Sequence, residues 1–347
     1  MRYDTGTKPP TSKDVAALAG VSQSTVSFVI NGKSTVAPAT RKRVEDAMRK
    51  LNYRPNAGAR TLRTNRTNII ALFEEIRHDY DANEAASYVD AIIAEARKRD
   101  YDVILCTRNE GAEGLNRLAG KSICDAFILM DIRPDDARVP AAAALHVPTV
   151  LVGRPNDPMG LDLVDFDTRI AAALMVDELA NTGHRHIAVV GDTTLPVPDR
   201  YLFVEDFYDG ARTHAQQRGI DLTIVPRTTE DWNGLLATAD QLLAHADDRL
   251  GIITRQPQVT DWILRLLEYR GLTAGTDVSL VAHCSDYAAT SFRTPVTNVS
   301  TAPEHLSQMA VDILFSRLAG DASPAHYDLA RPLGVNRRAT TIDWSNR

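Results

Sequence analysis

Near the N-terminus apolar residues recur every three or four positions, the helical period, in three short runs. In SKDVAALAG, Val15, Leu18 and Ala19 share one helical face, and Thr11 or Ser12 can cap the first turn. Gly20 suits the left-handed residue that closes a helix, with Val21 packed beneath the turn. Ser22 then caps a second run, QSTVSFVIN, in which Val26, Val29 and Ile30 face inward and Gln23, Ser24, Ser27 and Phe28 lie opposite. After NGKSTVA, Pro38 is a good first helical residue for ATRKRVEDAMRKLNY, where Val44, Ala47, Met48 and Leu51 keep helical spacing. The pattern predicts an all-α helix-turn-helix head whose second helix presents a polar N-terminal end of the kind that enters a major groove.

Beyond Arg66 the pattern changes to short apolar runs alternating with helical ones, the signature of open parallel α/β sheets. Strands are expected at 69–73, 102–107, 126–130 and 149–152. After a helix at 170–182, a second series follows at 187–190, 223–226, 250–254 and 279–282. Two similar lobes in tandem imply a cleft, and ligands of such sheets bind at the carboxyl ends of the strands.

Length and charge sharpen this division. A chain of 347 residues with 44% hydrophobic content exceeds what one core serves, so two or three domains are expected. Residues 1–66 hold 13 Lys and Arg against 4 Asp and Glu, while the remainder holds 26 against 41. A basic module can hold phosphates by releasing their counterions, and an acidic body resists lying on the duplex. The basic cluster Arg41, Lys42 and Arg43 opens the third helix, where Thr40 is placed for a phosphate oxygen. No run of 18 apolar residues occurs, and MRYDTGTKPPTSKD lacks the apolar segment of a secretory signal, so a cytoplasmic protein with no membrane role is expected. Cys106, Cys124 and Cys284 match no metal or redox spacing and read as buried, reduced thiols.

The segments DVAALAGVSQSTVSFVING and VAPATRKRVEDAMRKLNYRPNAGARTLRTNRT together resemble the head and hinge of the lac repressor (LacI/GalR) family of bacterial transcriptional regulators. The match is contiguous over roughly residues 11–66. The resemblance implies a head over 1–54, a hinge helix or linker over 55–66 and a two-lobed body over 67–347. It implies that Ser22, Gln23, Ser24, Thr25, Ser27, Phe28 and Asn31 form the recognition helix, with Thr11, Thr40, Tyr53 and Asn56 toward the DNA backbone. It also implies a hinge helix that folds on operator DNA, with Leu62 inserted in the minor groove. Ala57, Gly58 and Ala59 allow close approach, and Arg60 and Arg63 attract phosphate. Gly58 weakens the free hinge helix by ~1 kcal/mol relative to Ala. Two positions depart from the family. Phe28 stands where many relatives carry a guanine-reading Arg, and Ala37 where a Ser caps the third helix. Phe28 cannot hydrogen-bond a base: either it packs against a thymine methyl, or it turns toward the head core, or it leaves specificity to Gln23, whose amide can pair bidentately with adenine.

The body resembles the family's effector core more loosely, in DYDVILC, DAFILMD, PTVLVGR, GHRHIAVVGD and RGLTAGTDVSLVA. That core is similar to periplasmic sugar-binding proteins, with chain crossing back to the first lobe near 296–300. The implied lobes are about 67–165 with 298–327, and 166–297 with 328–342. Strand-end candidates for the effector are Asp131, Arg133, Arg154, Asp167, Arg200, Gln256 and His283. Here too the chain departs: Phe207 replaces a sugar-binding Arg, Gln256 and Pro257 an Asn-Asp pair, and Ala282, His283, Cys284 and Ser285 a GxDD-like turn. Either the ligand differs or Arg154 or Arg200 has taken over.

Catalytic patterns are absent from the sequence. NGKST lacks the first P-loop glycine, at Ser27, and there is no GxGxxG, GxSxG or HExxH. His184 and His186 are spaced to share a strand face, and read as a structural pair rather than a metal site. No cofactor and no metal are expected. The expectation is a homodimeric repressor, not an enzyme. Two heads read half-sites of a pseudo-palindrome, while a sugar-like effector sits in the cleft and the dimer face lies on an outer helix near 88–93. The residues after Thr341, IDWSNR, carry no heptad pattern for a tetramer. The alternative is a cytoplasmic small-molecule sensor whose head has no DNA role.

Overall fold

The computed structural model describes residues 10–30, 36–53, 66–75, 82–107, 110–193 and 201–345. The chain falls into two compact units, Met1–Thr67 and Asn68–Arg347.

In the first unit, α1 (Ser12–Ala19), α2 (Gln23–Ile30) and α3 (Pro38–Lys50) bury Val15, Ala16, Ala19, Val26, Val29, Val44 and Ala47 against one another. Thr11 and Asp14 cap α1 reciprocally: the Asp14 N–H donates to the Thr11 hydroxyl, and the Thr11 N–H donates to the Asp14 carboxylate at 2.7 Å. Gly20 closes α1 at φ +64°, its N–H reaching the carbonyls of Ala16 and Ala17. Leu18, expected inside, is 50% exposed, and Ala16 is buried in its place. Small alanines at 16 and 19 let the neighbouring helices approach closely, which selects that side of a helix only two turns long.

The second unit begins with the first lobe: β1 (Ile69–Phe73), α4 (Ala82–Arg97), β2 (Asp102–Cys106), α5 (Gly111–Gly120), β3 (Ala126–Leu129), α6 (Arg138–Ala144), β4 (Thr149–Val152) and β5 (Asp162–Phe166). The second lobe opens with α7 (Thr168–Asn181), β6 (His186–Gly191), α8 (Leu202–Arg218), β7 (Asp221–Pro226), α9 (Trp232–Leu236) and α10 (Ala239–Leu242). It continues with β8 (Leu250–Thr254), α11 (Pro257–Tyr269), β9 (Ser279–His283), α12 (Asp286–Ser291) and β10 (Thr297–Val299). The chain then returns to the first lobe with α13 (Pro303–Leu318) and β11 (Tyr327–Ala330), and to the second with β12 (Val335–Asn336).

The two sheets repeat one topology. Their orders are β2-β1-β3-β4-β5-β11 and β7-β6-β8-β9-β10-β12, parallel throughout except for β12. Central strands such as AFIL, TVLV and LGIIT are buried at every residue, as helices on both faces require. Two strands that the hydrophobic pattern missed, β5 and β11, each depart from a plain apolar run. In β5, DLVDF, Asp162 and Asp165 are both buried, and Asp162 is accommodated by a bidentate pair with Arg317 at 2.8 Å. β11 lies at a sheet edge with three of its four residues exposed.

The lobe boundaries also move. Asn298 and Val299 belong to the second sheet, and Asp328, Leu329 and Ala330 to the first, so the expected breaks at 298 and 327 fall inside strands. The segment expected to offer a dimer face turns partly inward: Ile92 is buried in the core and Tyr88 packs against it. Cys124 and Cys284 are buried, Cys106 only partly, and all three are free thiols. No helix among the described residues is long and apolar enough to cross a membrane.

Candidate functional site

In the head, the local sequence builds an exposed polar end on α2. The Ser22 hydroxyl accepts the Thr25 N–H at 3.1 Å and lies 2.7 Å from the Ser24 hydroxyl and 2.8 Å from that of Thr25. Gln23 is held by its side chain, which donates to the Ser12 hydroxyl at 2.7 Å. Val26 and Val29 are fixed in the core, so Ser22, Gln23 and Ser24 face outward with Ser27 at the margin. Phe28 is 40% exposed on this outer side rather than turned into the core. At α3, Ala37 provides no side-chain cap and Pro38 opens the helix. Thr40 and Arg41 are half-buried beside exposed Lys42 and Arg43. Tyr53 packs against the head core. Asn31, Asn56, Ala59, Arg60, Leu62 and Arg63 lie outside the described residues.

In the body, the carboxyl ends of the strands converge on a cavity of about 120 Å³ between the lobes. The first lobe supplies Glu84 and Tyr88 from α4, Asp131 after β3, Gly153 after β4 and Asp165 from β5. The second supplies Phe203, Arg255, Gln256 and His283. Arg138 fixes the Asp131 loop, donating to the carbonyls of Met130 and Asp131 at 2.8 and 2.9 Å while pairing with Asp136 at 2.7 Å.

The cavity walls differ in charge. Burial pushes the Asp165 carboxyl up to about 6. Burial also raises Tyr88 well above the usual tyrosine range, helped by the nearby charges of Glu84, Asp131 and Asp165. Opposite them, Arg255 bonds the Asp192 carboxylate at 2.6 Å and places its guanidinium 5.8 Å from the Phe203 ring centre. Gln256 accepts from Arg227 at 3.2 Å. His283 stands between the rings of Phe166 and Phe207, with centroids at 5.6 and 5.7 Å, and its Nε2 is buried with no hydrogen-bond partner among the described residues. Burial, followed by the charge of Arg255, lowers its pKa to about 3, so the imidazole is neutral.

Of the strand-end candidates, Asp131, Gln256 and His283 meet at the cavity. The others have different places. Arg133 reaches Glu75 at 3.8 Å, and Asp167 caps α7 by accepting the Ile170 N–H at 3.0 Å. Arg154 pairs with Asp206 of α8, which Arg169 also contacts at 2.8 Å, so it joins the lobes instead of lining the cavity. Phe207 is fully buried behind His283. Arg200 lies outside the described residues. Glu84, Tyr88, Asp165, Phe203 and Arg255 line the cavity without having been expected there, Tyr88 having been placed on the dimer face instead. Arg255 directly follows an anticipated strand and was legible on that ground; Glu84 and Tyr88, on a helix, were not.

The two histidines do not share a face. His184 precedes β6, buried with Nδ1 at 2.9 Å from the Leu179 carbonyl, and burial lowers its pKa to about 4. His186 opens β6 near the surface, because strand alternation begins only there.

The head and the cleft define the class: a helix-turn-helix DNA-binding unit in one chain with a two-lobed body of the periplasmic-binding type. Residues 11–56 match the model of bacterial regulatory proteins of the lacI family, and residues 176–341 that of periplasmic binding protein-like domains. The HTH-type transcriptional regulator CelR of Thermobifida fusca is 29% identical, covering 90% of this chain and 93% of that protein. The ribose operon repressor of Escherichia coli (strain K12) is 27% identical over 89% of this chain and 93% of its own. Among solved structures, a lac repressor dimer bound to operator and an anti-inducer superposes with a TM-score of 0.77 at 23% identity, covering 96% of this chain and all of that one. A CelR–cellobiose complex superposes with a TM-score of 0.66 at 25% identity, with the same coverage. Residues 11–56 carry a lacI-family head ahead of a body of the periplasmic-binding type, and the chain is a DNA-binding transcriptional regulator.

Proposed function

We propose that the protein is a homodimeric repressor that binds a pseudo-palindromic operator and changes its grip when a sugar or sugar derivative occupies the cleft. The observation that carries this reading is the outward polar end of α2 in a basic unit: Gln23 and Ser24 are exposed there while Val26 and Val29 hold the helix in place. An exposed amide at a helix start can pair bidentately with adenine in the major groove, and hydroxyls serve base edges or phosphate. Thr11, Thr40 and Tyr53 then steady the backbone, Phe28 offers its ring to a thymine methyl, and Leu62 opens the central base step. The head ends near residue 54 and the hinge spans 55–66.

Several relatives support the effector. CelR is described with cellobiose, and the ribose operon repressor by its operon. Asp131, Gln256 and His283, with Glu84, Asp165 and Arg255 beside them, supply acceptors and donors around an apolar cavity, as a polyol needs. Gel-shift selection with random duplexes tests the DNA reading: a salt-sensitive, sequence-selective complex is expected, and its absence at micromolar protein rejects it. In the same assay Leu62→Ala should lose specific binding while non-specific binding persists; equal losses would contradict insertion in the minor groove.

A further inference from the structure

We propose that His186, Asp221 and His245 bind one zinc-class transition-metal dication at the base of the second lobe. The three come from separate segments. His186 opens β6, Asp221 opens β7 directly opposite it in the parallel register, and His245 lies in the turn leading to β8. One ligand atom from each lies within 4.8 Å of the others. The His186 Nδ1 is 3.0 Å from an Asp221 carboxylate oxygen. The His245 ring stacks on that of His186 with centroids 3.9 Å apart and planes 5° from parallel.

Two imidazoles and a carboxylate are the donor set of zinc and its neighbours, whereas Ca²⁺ and Mg²⁺ take oxygen ligands. Tetrahedral zinc with bonds near 2.1 Å needs donors ~3.4 Å apart. Asp221 and His245 are exposed side chains, with room to turn about their own torsions and unstack the rings toward that spacing.

A second contact prepares the site. The other nitrogen of His186, Nε2, lies 3.3 Å from the Asp248 carboxylate. A carboxylate behind a histidine fixes the tautomer, here leaving Nδ1 to face Asp221 and the metal. Arg185 also reaches Asp248, at 3.4 Å, which keeps that carboxylate behind the imidazole and away from the ion. The cluster sits at the amino ends of β6 and β7, and the effector cavity at the carboxyl ends of its sheet's strands. The ion therefore cross-links the start of the second sheet and leaves the cleft untouched.

Calorimetric titration of Zn²⁺ into the chelator-washed full-length protein tests the proposal. The wild type is expected to bind one ion per chain, and Mg²⁺ to give no binding. His245→Ala and Asp221→Asn alter exposed side chains, so circular dichroism should remain that of the wild type while Zn²⁺ binding weakens by at least about tenfold. Asp248→Asn should keep the stoichiometry and weaken binding by about ten- to a hundredfold. A wild type that takes up no Zn²⁺, or a His245→Ala variant that binds as the wild type does, overturns the assignment.

Discussion

Glu74 follows β1 with its Oε2 buried and without a hydrogen-bond partner among the described residues. Burial, reinforced by the charge of Asp131, pushes its pKa up to about 9 from the ordinary 4.5. The folded chain therefore keeps a proton that the unfolded chain releases. Below pH 4.5 both states hold it; between 4.5 and 9 the folded state holds more protons, so this group lowers stability as pH rises; above 9 the effect is constant. Glu74→Gln, which stays neutral, should remove this decline. Urea unfolding of wild type and variant at pH 5, 7 and 9 should show the variant's advantage growing with pH, and a constant difference would contradict the shift. The same physics keeps His283 neutral between two aromatic rings, with one ring nitrogen a donor and the other an acceptor.

At the scale of elements, the short helices of the head depend on their ends. α2 has eight residues, too few to persist alone in water, so its cap and its two buried valines decide whether it forms. Ser22 satisfies the Thr25 N–H at its start. Ser22→Ala should lower head stability by about 1 kcal/mol, visible as an earlier helical transition in circular dichroism, with the body's transition unchanged. An unchanged first transition would show that packing alone holds the helix. Elements whose apolar residues keep one period were legible in the sequence: α2, β1, β4 and β8 lie within a residue of the reading or on it, and α3 starts as read but ends three residues early, at Lys50. Leu18 and β5 were not, because the first depends on which helix lies alongside and the second on Arg317, 155 positions from Asp162.

For the molecule as a whole, the body's state depends on contacts that bridge its lobes. Arg154 after β4 meets Asp206 of α8. Glu84 of α4 accepts the Ser285 N–H at 3.3 Å and the Thr301 hydroxyl. These contacts hold the lobes around the cavity, and an effector would shift their closure through its own differential contacts. The Arg154–Asp206 pair is partly exposed, so it contributes ~0.2–1 kcal/mol. Asp206→Ala should therefore raise the open population by up to about fivefold. Hydrogen exchange at the Ser285 amide should quicken accordingly, and an unaltered rate would rule out Arg154 as part of the closure.

By itself the sequence determined the three-helix head, the tandem α/β lobes, the basic and acidic division and the outward face of α2. Each follows from neighbours in the chain: helical or strand period, a cap, a turn glycine, a local excess of charge. Only the tertiary structure decided which polar residues meet. Asp131, Gln256 and His283 converge with Glu84, Asp165 and Arg255, while Arg154 leaves the cavity to join the lobes. His186 finds His245 rather than His184. The physical reason is that a buried or clustered polar group is positioned by the partner that satisfies it, and that partner comes from whichever strand or helix the sheet order brings alongside.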